Sequence, residues 1–165
     1  MGNAIIDLQH LAKKFGDQTV LKDINLTVNA GEIVGLIGPS GAGKSTVIKV
    51  ALGMEVANGG SAKVFDTTMP NRLLLGRIGY MAQTDALYDS LSGLENLKFF
   101  GLMKGIAKEN MKEEVMHAAE VVDLTADLNK RVSGYSGGMM RRLSLAIALL
   151  AVSYTHLTLP TICSV

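Results

Sequence analysis

Nine consecutive residues constrain this chain more than any other stretch: Gly38-Pro39-Ser40-Gly41-Ala42-Gly43-Lys44-Ser45-Thr46 fits G-x-x-x-x-G-K-[ST]. The flanks fit too. Ile33-Val34-Gly35-Leu36-Ile37 is apolar on both faces, as expected for a strand covered on both sides in a parallel sheet. A helical period takes over from Ser45 through Leu52, and Gly53 is placed to end it. Strand, glycine-rich turn and helix, in that order, are what the pattern requires. Glycines at 38, 41 and 43 let backbone amides curl around an anionic phosphate, and the helix N-terminus adds a favourable dipole. Lys44 is placed to reach β and γ phosphates as a point charge, Ser45 to ligate Mg²⁺, and Thr46 to add a hydroxyl near the α phosphate. Taken alone, the pattern admits GTPases, kinases and several ATPase classes.

Composition narrows the field. The 165 residues carry a formal net charge of +1, 48% apolar and 19% charged residues, enough for one domain core. This balance gives no footprint for nucleic acid, and tight basic pairs such as Lys13-Lys14 and Arg141-Arg142 do not make a clustered basic face. No nucleic-acid partner is expected. The lone cysteine, Cys163, cannot form an intrachain disulfide, so a reducing compartment is the natural setting. The N-terminal stretch lacks the basic start of a signal peptide. The apolar run Leu145–Val152 is too short to span a bilayer, so the chain is expected to be cytoplasmic.

The remaining pattern places the elements. Ile6 and Leu8, then Ile24, Leu26 and Val28, alternate with polar residues and predict half-buried antiparallel strands, with a turn at Gly16-Asp17. Ala62–Phe65 and Arg77–Met81 predict two more short strands around the loop signal Asn58-Gly59-Gly60. Ser92-Gly93-Leu94-Glu95 is a capping box opening a helix to about Lys104. Met111, Val115, Ala118 and Val122 mark a second helix over about 108–124, and Met139, Leu143, Ala146 and Leu150 mark a third after Gly138. His10 and His117 have no ligand-spaced partners, so ordinary surface or core roles are expected of them.

A GTPase would show Asn-Lys-x-Asp downstream, but Asn129-Lys130-Arg131-Val132 lacks the Asp that would read guanine. Two other segments discriminate: Gly79-Tyr80-Met81-Ala82-Gln83, and Tyr135-Ser136-Gly137-Gly138-Met139, where a loop opens a helix. With the phosphate loop, they resemble the ATP-binding subunits of ABC transporters over about residues 4 to 150, in the family's order and approximate spacing. The resemblance implies an α/β fold, a P-loop NTPase of the ABC ATPase type. It comprises an N-terminal antiparallel β part, a parallel core sheet and a helical subdomain over about 85–145.

The resemblance also implies roles. Phe15 stands where the family keeps a ring that stacks on adenine, and Gln83 matches the glutamine that touches Mg²⁺ and the attacking water. Ser136, Gly137 and Gly138 match the signature that, in a head-to-tail dimer, closes over the γ phosphate held by a second ATP-binding subunit. Tyr135 and Met139 replace the commoner Leu and Gln of that motif. ATP and Mg²⁺ are the implied ligands, a transmembrane permease is the implied partner, and the location is peripheral on the cytoplasmic side of the cell membrane. Tyr88–Gly101 looks like the region of ABC-2-type exporters that receives a coupling helix, which suggests export. Because the first strand begins within a few residues of Met1, no membrane domain is expected to be fused upstream. A soluble ABC ATPase acting on ribosomes or DNA is the competing reading, and such proteins usually carry a second cassette or a coiled-coil insertion. A nucleotide-binding remnant is the third.

After Asp127 the chain has no Asp or Glu, so the family's acidic strand, with one carboxylate for Mg²⁺ and one for the nucleophile, has no counterpart. The domain is therefore expected to be partial, residues 1–151 and incomplete at the C-terminus. Residues 152–165 are expected to be a non-native tail, since Val152–Leu157 back-translates to GTC TCT TAT ACA CAT CTG, resembling a transposase adapter. A sheet lacking the family strand would present unpaired amides and apolar faces. Poor solubility and background ATP hydrolysis are expected of the isolated chain.

Overall fold

The computed structural model describes residues 4–82 and 86–150, together with the backbone of 161–164. They fall into two compact units, Met1–Leu75 with His156–Val165, and Gly76–Thr155.

In the first unit, β1 (Ala4–Phe15) and β2 (Gln18–Asn29) form an antiparallel hairpin whose two-residue turn is Gly16-Asp17, as the sequence predicts. β4 (Gly59–Val64) pairs with the other edge of β1, and β5 (Thr67–Thr68) extends the sheet to the order β2-β1-β4-β5. The inward residues of β1 do not keep a strict period of two. Ile6 and Leu8 are buried, but so are Leu11 and Lys13, three and five residues on. Register explains it: Leu8 faces Leu26 and Leu11 faces Ile24, so β1 carries an extra residue, and Lys13 faces Leu21, so β2 carries one next. His10 (φ 51°) and Asp23 (φ 55°) take the left-handed conformation at these bulges, and both are residue types that tolerate it. The Asn25 Oδ1 accepts from the His10 amide at 2.8 Å, and the His10 ring lies 2.7 Å from the Asp23 carboxylate. The second bulge offsets the first at Lys13, and a further shift between Lys13 and Lys14 precedes the turn.

β3 (Ile33–Leu36) pairs in parallel with β6 (Thr161–Ser164), so a stretch in which no family strand was expected supplies β3 with a ladder partner. The expected double cover of β3 is not found. Ile33 is 77% exposed and Ile37 88% exposed. The physical reason lies in where the crossover helix goes: α1 (Lys44–Ala51) turns Val47, Val50 and Ala51 inward and packs chiefly on β2 and β4. The strand expected at Arg77–Met81 is also absent; these residues are a turn followed by irregular chain. A strand exists only through a ladder, and among the described residues no segment pairs with this one. A one-turn helix, α2 (Arg72–Leu75), precedes it.

The second unit is helical. α3 (Gly93–Met103), α4 (Lys108–Val121) and α5 (Gly137–Leu149) surround a core of Leu97, Val115, Ala119, Val132, Leu143 and Ala146. The predicted stripes supply it, since Met111, Val115, Ala118 and Val122 are all buried, as are Leu143, Ala146 and Leu150. Each such aliphatic side chain contributes about 1.5–3 kcal/mol on burial.

Polar groups fix the register of this core. The capping box at α3 is formed: the Ser92 hydroxyl accepts from the Glu95 amide, and the Glu95 carboxylate accepts from the Ser92 amide at 2.7 Å. One turn on, the fully buried Asn96 donates to the Tyr88 and Ser92 carbonyls and accepts from the Tyr88 amide, clipping the preceding turn to the helix. Tyr135 is buried with its hydroxyl donating to the Asp127 carbonyl at 2.8 Å. Space for that hydroxyl comes from Gly93, where a Cβ would sit 2.3 Å from it.

Two outcomes follow for this unit. Gly93→Ala should lower stability in urea denaturation by about 1–3 kcal/mol, the usual penalty of overpacking, and the loss should shrink when it is combined with Tyr135→Leu. The Ser92 amide and hydroxyl hold the Glu95 carboxyl below its ordinary 4.5, so their contribution is present above that pH and is lost as pH falls through the folded value. The urea midpoint should therefore drop between pH about 5 and about 3, and less steeply in Glu95→Gln.

Candidate nucleotide-binding site

The phosphate-loop residues lie where the sequence places them, between β3 and α1 in the first unit. Gly43, at the N-cap of α1, has φ 87°. A side chain there is excluded twice over, by the backbone conformation and by Leu21, whose Cδ2 would lie 2.8 Å from a Cβ. The helix opens without a side-chain cap and without an acidic residue in its first turn. Its first internal bond runs from the Val47 amide to the Gly43 carbonyl at 2.9 Å, which leaves the Lys44, Ser45 and Thr46 amides with no partner inside the helix. Amide donors, a positive helix end and a lysine suit an anion. The Lys44 ammonium donates to the Gly38 carbonyl at 2.6 Å and to the Pro39 carbonyl at 3.2 Å, and the Ala42 amide closes a turn onto Pro39. Pro39, Ser40, Gly41 and Ala42 are exposed, Gly38 and Ser45 partly so.

Phe15 ends β1, on the hairpin whose Val20 and Leu21 back Gly43. The residue is 46% exposed. Gln83 lies outside the described residues. Ser136, Gly137 and Gly138 belong to the second unit, at the N-terminus of α5, and all three are exposed. The Ser136 hydroxyl accepts from the Met139 amide at 3.3 Å, so it caps its own helix. Arg142, two turns along, donates to the Val122 and Asp123 carbonyls at the end of α4. Still in that unit, Tyr88 and Phe99 meet edge to face at 4.9 Å, Phe99 meets Phe100 likewise at 5.4 Å, and Tyr88, Phe99, Leu102 and Met103 reach the surface.

Lys13 is the residue that the sequence reading passed over, taking it as half of a basic pair. Lys14 is exposed, but Lys13 is 9% exposed, with its ammonium 4.7 Å from the centre of the Phe15 ring. The available signal is spacing: residues 13 and 15 point to the same side of a strand. Among the described residues no cluster of His, Cys, Asp or Glu could hold a metal ion by itself, and no helix is long and apolar enough to cross a membrane.

Comparison with known proteins agrees with this layout. A family model described as ABC transporter matches residues 21–157. The chain is 39% identical over 152 residues to Nod factor export ATP-binding protein I of Bradyrhizobium diazoefficiens, covering 91% of this chain and 50% of that protein. It is 35% identical to the uncharacterized ABC transporter ATP-binding protein YxlF of Bacillus subtilis, covering 88% of this chain and 48% of that one. The chain thus spans about half the length of the curated relatives it matches. Among solved structures, an ATP-binding subunit of an ABC transporter superposes with TM-score 0.76 at 25% identity, covering 89% of this chain and 62% of the other. A bacterial ABC transporter cassette solved as a dimer, MJ0796, superposes with TM-score 0.76 at 25% identity, covering 88% and 69%. The fold is thus that of a P-loop NTPase of the ABC ATPase type. With this match covering most of its length, the chain belongs to the ABC transporter family.

Proposed function

We propose that this chain is the nucleotide-binding part of an ABC exporter subunit, one that binds ATP with Mg²⁺. The observation that carries the reading is the uncapped N-terminus of α1 behind Gly43, with Lys44 at its mouth. Amides of Gly38 and of Ser40, Gly41, Ala42, Gly43, Lys44, Ser45 and Thr46, in the loop that Pro39 shapes, hold the β and γ phosphates with the Lys44 ammonium, and Phe15 takes the adenine. Ser45 and Gln83 would hold the metal ion, which would supply positive charge to offset that of the phosphates. In the whole protein two subunits pair head to tail, and Ser136, Gly137 and Gly138 of one cover the γ phosphate of the other. The exposure of Ser136, Gly137 and Gly138 at the start of α5 supports that role, because a helix end favours an anion.

Export is favoured by the relatives, several of which are Nod factor export proteins, and by the aromatic surface of Tyr88 and Phe99, apolar enough to seat a helix of a transmembrane permease. The subunit then sits peripherally on the cytoplasmic side of the membrane. Lys44 and Gln83 are the residues assigned to catalysis in the whole protein, where Lys44 stabilises charge on the transferred phosphoryl group and Gln83 orients the water. The nucleotide-binding domain takes in residues 1–151 and its helical subdomain about 85–145, while 152–165 is an adapter-derived tail. No carboxylate follows Asp127 in this chain, which is the support for expecting binding without turnover.

Equilibrium titration with a fluorescent ATP analogue tests the reading. Lys44→Ala should weaken binding about 10- to 100-fold, the loss of a charge-assisted hydrogen bond to phosphate; equal affinity of the two chains would overturn the assignment. Phosphate release from the 165-residue chain should stay at background, and Lys44-dependent turnover would refute the expectation of an inactive chain.

A further inference from the structure

The Lys13 ammonium is held by three groups at once. It donates to the Val56 carbonyl at 2.7 Å, pairs with the Glu55 carboxylate at 3.1 Å and stands 4.7 Å from the centre of the Phe15 ring. A lysine this buried needs such partners, because desolvation of its charge is otherwise uncompensated. Two of the three come from the segment that leaves α1, whose Met54 and Glu55 amides donate back to the Lys49 carbonyl. That segment is also pinned to β1 directly: the Asn58 amide donates to the Ala12 carbonyl and the Asn58 side chain accepts from the Lys14 amide. A rigid mount thus holds the cation, and the cation lies against the ring. Phe15 itself sits at a strand end beside a two-residue turn, 46% exposed, where an aromatic side chain otherwise samples several rotamers.

We propose that Lys13 is a positioning residue for the nucleotide base: its ammonium fixes the Phe15 ring through one face and leaves the opposite face presented for stacking. This rests on the assignment of Phe15 to the adenine of a bound nucleotide. A ring already ordered loses less freedom when the base arrives, and the cation draws π density toward itself, which suits the far face to an electron-rich purine. Lys13 does not touch the phosphates in this scheme, so its effect is confined to ligands that carry a base.

The test measures binding of ATP and of inorganic tripolyphosphate, each with Mg²⁺, to the 165-residue chain. Lys13→Gln removes the charge while keeping a donor for the Val56 carbonyl. It should weaken ATP about three- to tenfold, the range of a partly buried cation–π contact, and leave tripolyphosphate unchanged. Lys13→Arg should restore ATP binding, and Lys13→Gln should cost nothing further in a Phe15→Leu background. The proposal fails if Lys13→Gln binds ATP as the parent does, weakens both ligands alike, or costs as much without the ring. Lys13→Met takes its place if Lys13→Gln does not melt cooperatively, and a chain that folds with neither also overturns the proposal, since the lysine is then a structural requirement. Absence of Lys44-dependent binding of either ligand by the parent chain would instead bring down the nucleotide assignment beneath it.

Discussion

Backbone reversal at Gly43 is the constraint on which the first unit depends. A left-handed residue at that point aims the first amides of α1 back toward the loop, and the Leu21 side chain behind it leaves room for hydrogen alone. The hairpin and the helix are thus locked together at one atom-tight contact. Everything assigned to nucleotide binding in this unit hangs from that contact: the loop ahead of it, the helix after it, and the hairpin end carrying Lys13 and Phe15.

The helical unit is organised differently, by buried polar groups that are each fully partnered. Asn96 and Tyr135 tie turns to helices from inside the core, and among the described residues no buried side-chain nitrogen or oxygen lacks a partner. Such bonds add little net stability each, but an unmatched one is costly, so they discriminate sharply between the native packing and its neighbours. The Tyr135 hydroxyl shows the geometry of this discrimination, because it fits only over a glycine at the first position of α3.

Much of this was legible in the sequence, and the failures have physical causes. Helices α3, α4 and α5 follow from apolar stripes and from the Ser92-Glu95 box because those signals are local to one element. The β1–β2 hairpin follows from alternation up to Leu8, where the bulge at His10 changes phase and the pattern ceases to name the inward residues. Arg77–Met81 has strand composition but no ladder partner among the described residues, and a partner is a property of the fold rather than of five residues. The exposure of Ile33 and Ile37 is of the same kind, since cover on a sheet face depends on which way the crossover helix goes. At the site, the glycines, Lys44 and Ser45 declare themselves by spacing. Lys13 does not, because burial turns a charge that reads as surface into a contact beneath a ring.

The bonds from Lys44 to the Gly38 and Pro39 carbonyls have a consequence for how the loop meets an incoming anion. The ammonium acts as an internal placeholder, a cation that braces the loop by gripping its entrance strand-side oxygens. On the nucleotide assignment proposed above, an arriving phosphate would trade two neutral acceptors for charged ones rather than organise a slack segment from nothing. Under that proposal, recognition is an exchange of partners at a single nitrogen.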